Sequence, residues 1–183
     1  MIDLGPIFRR ERTAAEVVGH LTIADLRRES NALIDRVQQL IVECVDADVT
    51  FQPDDPHATP EEGGVGWTLG HVVVHLTAGS EENAFLGAEL ARGVPPQGRS
   101  RYETPWESVQ TIAQVRERLE ESRRMTLACL DVWPDAPHLT LEAELWPGGP
   151  SMNATARHAL GIGHGHGHLD QIAEIARQSQ AAR

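Results

Sequence analysis

The chain has 183 residues, a formal net charge of −11 and a hydrophobic fraction of 40%, a length that buries one domain core without disulfides or structural metals to brace it. No apolar stretch approaches the roughly 18 residues of a membrane-spanning helix, and an acidic surface whose basic residues are all Arg repels nucleic-acid phosphates and anionic lipid. Nucleic acid and membrane are therefore set aside, and a start lacking the basic-then-apolar pattern of a secretory leader predicts a soluble, cytoplasmic protein.

Residues 1–20 read as an N-terminal extension with a short helix around Ala14 to His20, and residues 21–183 read as the folded domain. The first long helix starts near Thr22, where Asp25 three positions on completes a capping-box pattern. Leu26, Leu33, Ile34, Val37, Leu40, Ile41, Cys44 and Val45 keep helical spacing, which predicts an end near Asp46. From Ala47 to Gly66, Pro53, Pro56, Pro60, Gly63 and Gly64 lie among acidic residues and predict a loop.

A second helix opens near Trp67-Thr68 and carries Leu69, Val72, Val73 and Leu76 on one face as far as about Arg92. The run Thr104-Pro105-Trp106-Glu107 supplies an N-cap Thr, a Pro at the first helical position and a returning Glu, so it predicts the start of the third helix. That helix buries Ile112, Val115, Leu119, Met125, Cys129 and Trp133 and stops at Pro134. Leu139, Leu141, Ala143 and Leu145 alternate with polar residues in a short extended segment, and the last helix runs from around Ser151 through Ile175 to the C-terminus. Cys44 and Cys129 form no paired motif and read as buried thiols on helix faces. Four amphipathic helices with long connections define an all-α four-helix bundle, a fold that builds metal and ligand sites from side chains on facing helices.

Chemistry concentrates in the C-terminal run Gly161-Ile162-Gly163-His164-Gly165-His166-Gly167-His168. At 100° per residue His164 and His168 lie about 40° apart on one face with Ile172 and Ile175, whereas His166 points about 160–200° away, toward water. Two imidazoles at i and i+4 close on one metal ion, and a third ligand must come from another helix. The second helix offers His71 and His75, with His75 nearer its buried boundary. The competing reading is a surface histidine tract, because four glycines each cost about 1 kcal/mol in a helix interior unless they let a neighbouring helix or a ligand approach.

Two motifs resemble the DinB-like superfamily, the four-helix metalloproteins that include the DinB and YfiT proteins and the mycothiol-dependent maleylpyruvate isomerases. The first is Trp67-Thr68 opening a helix with His75-Leu76 following; the second is His164, His168 and Gln171-Ile172 in the last helix. The resemblance covers roughly residues 20–180 and departs from the family in placing Gly165 where Glu often follows the first His of the pair. It implies a DinB/YfiT-like fold, one divalent transition metal held by His75, His164 and His168 rather than by His71, and a homodimer. Zinc or nickel is expected ahead of manganese or iron.

The implied chemistry is that of a metal-dependent thiol S-transferase or hydrolase acting on a small electrophile, with a low-molecular-weight thiol as co-substrate. Gln171 is the candidate catalytic-site residue, placed to orient a ligand imidazole, and Trp67 reads as a core plug. Glu81 and Glu82 read as a solvated face from which either could reach the pocket as a base. The alternatives are a non-catalytic metal-binding or stress-response protein and a plain bundle whose histidine tract binds nothing.

Overall fold

Three threonines and an asparagine start the long helices. Thr22, Thr68, Thr111 and Asn153 each accept a hydrogen bond from a backbone N–H three residues on, satisfying one of the donors that every helix start leaves open. The computed structural model describes residues 2–55, 58, 64–98 and 104–183. In chain order the helices are α1 Gly5–Phe8, α2 Ala14–Val18, α3 Ile23–Leu40, α4 Asp46–Val49, α5 Leu69–Ala91, α6 Ile112–Asp131, α7 Ala154–Gly167 and α8 Leu169–Ala181. A small antiparallel hairpin of β1 Glu142–Glu144 and β2 Ser151–Asn153 pairs Ala143 with Met152, and Gly148 at φ 72° supplies the left-handed residue of its turn. The long helices α3, α5 and α6, with α7 and α8 as a broken fourth leg, make the predicted all-α bundle.

Several boundaries move, each for a local reason. The first long helix ends at Leu40 instead of near Asp46, and part of the expected loop is helical, because the Asp48 carboxylate accepts the Val45 N–H at 2.7 Å and nucleates α4 while Val49 plugs the core. Cys44 is thus buried between two helices, off any helix face, and Cys129 is only half-buried. The run at Thr104 opens a single 3₁₀ turn, Trp106–Ser108, because Val109 is drawn extended into the core. The third long helix restarts at Thr111, where Gln114 Oε1 accepts from the N–H groups of both Gln110 and Thr111.

Met125 lies outside the expected core at 42% exposure, whereas Trp133 is buried. Ser151 belongs to β2, so the last leg begins at Ala154 under the Asn153 cap. That leg breaks at His168, which ends α7 and precedes α8. Among the expected loop residues, Pro56, Pro60 and Gly63 lie outside the described residues.

Packing divides the core in two. One apolar cluster takes Leu33 to Ile41 of the first leg, Leu69 to Leu76 of α5, Val115 and Leu119 of α6, and Ile172 and Ile175 of α8. The other takes Leu26, Ala88 to Ala91, Leu130, Met152 and the start of α7, together with Leu4, Ile7, Ala14 and Val18 from the N-terminal segment. Residues 2–20 are therefore woven into the second cluster. No helix of the described residues is long and apolar enough to cross a membrane.

Candidate metal centre

The α5 leg lies very close to α7, and glycines on both helices make the approach. A Cβ on Gly87 would lie 3.0 Å from the Ala154 carbonyl oxygen, and one on Gly161 would lie 3.1 Å from the Ser80 backbone. On Gly165 a Cβ would collide with the Leu33 side chain at 2.5 Å, but around Gly163 and Gly167 there is open space. The alternating glycines thus have two explanations: Gly161 and Gly165 face packed neighbours, whereas packing does not require Gly163 or Gly167.

This closeness brings His75 of α5 against the last leg. His75 Nε2 and His164 Nε2 are 2.9 Å apart, and His164 Nε2 and His168 Nε2 are 3.3 Å apart. One potential ligand atom from each of the three residues falls within 4.8 Å of the others, and all three side chains are half-buried. Tetrahedral coordination at about 2.0–2.1 Å places neighbouring ligand nitrogens roughly 3.3 Å apart, so the spacing suits a small divalent ion after minor adjustment. An imidazole nitrogen without its proton presents one lone pair, and three such lone pairs aimed at one point are a donor set that a single divalent cation can accept.

Gln171 fixes one of these lone pairs. His168 Nδ1 lies 2.9 Å from Gln171 Oε1, and because an amide oxygen only accepts, the ring proton sits on Nδ1 and Nε2 turns its lone pair to the cluster. Gly79, one turn beyond His75, is the second supporting residue: a Cβ there would lie 2.6 Å from His164 Nδ1. Its absence leaves room for that ring.

Aromatic side chains wall the other side. Trp67 stacks on His71 at 4.3 Å and meets His75 edge-on at 4.9 Å, and its ring also lies 6.2 Å from that of His168. His71 is held between Trp67 and Trp106, the latter at 4.7 Å with its ring nearly parallel. His71 therefore belongs to a stacked wall, outside the group of converging imidazoles. Trp67 is half-buried against the cluster, so it borders the site as well as the core.

Two expectations are corrected. His166 does not point freely to water: its Nε2 is shielded from solvent and burial pushes its pKa down. Glu81 is not on a solvated face, because its carboxylate forms an ion pair with Arg118 and both side chains are only 17% exposed. Its charge is committed there. The supporting roles of Gly79 and Trp106 are absent from the sequence reading. Gly79 has a local signal, lying four residues after His75, whereas Trp106 stacks on His71 from a short 3₁₀ turn that helical periodicity does not report.

An all-α bundle with a half-exposed cluster of three imidazoles at the junction of two legs is the class of protein that fold and site define. The chain belongs to the DinB superfamily, whose family model matches residues 30–172. A search of the curated proteins and a search of the solved structures each returned no match.

Proposed function

We propose that His75, His164 and His168 hold one divalent transition metal, zinc or nickel, and that the protein is a metal-dependent thiol S-transferase or hydrolase acting on a small electrophile. The observation that carries this reading is the convergence of three imidazole Nε2 atoms, two contacts of which measure 2.9 and 3.3 Å, in a half-exposed position. Three protein ligands leave a coordination position for exchange, the arrangement of a reactive site as opposed to a closed structural one. A cation bound there supplies Lewis acidity that lowers the pKa of a water or a thiol. The chain's own residues do the rest: Gln171 holds the His168 tautomer, Gly79 admits the His164 ring, and the Trp67 face shields one side from solvent.

One observation favours a second reading, metal binding without catalysis. Among the described residues no carboxylate joins the histidine cluster as a proton acceptor, and Glu81 is tied to Arg118. A single set of assays separates the two. Protein loaded with zinc or nickel is incubated with a low-molecular-weight thiol and a panel of small electrophiles, beside His75→Ala. Metal-dependent consumption of thiol and electrophile, or metal-dependent hydrolysis of the electrophile alone, that is lost in the variant supports the enzyme. Stoichiometric metal with no turnover of either kind supports the binding protein.

A further inference from the structure

The two apolar clusters are separated by a polar waist. On α3, Ser30 falls between Leu26 of one cluster and Leu33 of the other; on α5, Thr77 and Ser80 follow Leu76; on α6, Ser122 and Thr126 lie between Leu119 and Leu130. The fourth leg contributes His158, 2% exposed, whose Nε2 lies 3.1 Å from Ser30 Oγ. Hydroxyls so deep in a bundle are costly unless each finds a partner. Thr77 and Thr126 satisfy theirs on helix carbonyls, and Ser80 donates to the Gly161 carbonyl at 3.3 Å. Ser122 is different. It is fully buried, and its Oγ has no partner among the described residues.

Ser122, Ser30, Ser80, Thr126 and His158, with Leu33, Ile34 and Ile162 as apolar neighbours, line a small buried pocket of about 10 Å³. A buried water needs roughly 10–15 Å³ by this measure and two to four polar partners. We propose that this chamber is a binding site for one ordered water molecule. The Ser122 hydroxyl donates to it, and the water donates in turn to the oxygen lone pairs that Ser30 and Ser80 retain beyond their existing bonds. The Ser30–His158 pair superficially resembles a nucleophile and its base, but a chamber that admits one water admits no substrate. The water instead links hydroxyls of three legs at the level where the apolar packing is interrupted, and so fixes how far each helix slides along its neighbours.

The test uses the full chain. A crystal structure at atomic resolution is expected to show one density peak within hydrogen-bonding distance of Ser122 Oγ. Oxygen-17 relaxation dispersion in solution should then count one fewer long-lived internal water in Ser122→Val, whose extra methyl groups fill the space. An empty chamber in the wild-type density, with the Ser122 hydroxyl turned onto a helix carbonyl, would overturn the proposal. So would a dispersion amplitude that Ser122→Val leaves unchanged. If Ser122→Val does not fold, the wild-type density decides the question by itself.

Discussion

Gln171 and Gly79 bind nothing themselves yet set two of the three imidazoles. Losing the hydrogen bond at His168 Nδ1 frees that ring to rotate and to change tautomer, so Gln171→Ala is expected to weaken metal affinity about tenfold or more while the fold survives. Competition with a chromogenic chelator measures this. Gly79→Ala is expected to weaken affinity through His164, because the new methyl occupies the space of that ring. Away from the site, His158 gives the clearest pH dependence. Burial pushes its pKa down to about 4, below the ordinary 6.5 of an unfolded chain. Between those values the unfolded state binds the proton and the folded state refuses it, so stability rises with pH across that window. The loss on acidification from about pH 6.5 to about 4 amounts to roughly 3 kcal/mol. Urea titrations at several pH values should show this slope in the wild type and a shallower one in His158→Gln.

Among the elements, the histidine leg is the least economical. Gly163 lies within α7 with open space where its Cβ would be, so Gly163→Ala should raise stability by about 1 kcal/mol through helix propensity. Gly165→Ala should forgo that gain or lose stability, since its methyl meets the buried Leu33 side chain, whose end must give way. Thermal unfolding of the two variants separates a packing glycine from a dispensable one. The same leg shows what sequence carries and what it omits. The i, i+4 spacing of His164 and His168 is local and legible in the sequence, whereas His75 stands on another helix and joins them only through the motif resemblance. The break at His168 has no local signal, since no proline and no left-handed residue precedes it. The start of α6 follows a related rule: Thr104-Pro105 has good cap chemistry, but burial of Val109, a tertiary demand, overrides it. Which glycines are packed could not be read from a Gly-X-Gly alternation, since the distinction depends on what Leu33 and Ser80 do in other helices.

The whole molecule ties its N-terminal segment to the end of the bundle away from the Leu69–Leu76 cluster. Ile7, 3% exposed, packs in the same cluster as Leu26, Leu130 and Met152. Ile7→Ala should therefore cost about 2–4 kcal/mol in urea unfolding, the loss expected for a core residue and not for a loose extension. The metal proposal makes its own demand on the whole chain, that His75 and a histidine pair some 89 residues further along act as one site. Elemental analysis of the purified protein beside His168→Ala tests this most directly. Near one zinc or nickel per chain in the wild type, with little in a folded His168→Ala, is the predicted result. A wild-type protein that carries no stoichiometric metal and takes up none when zinc, nickel or manganese is added would contradict it.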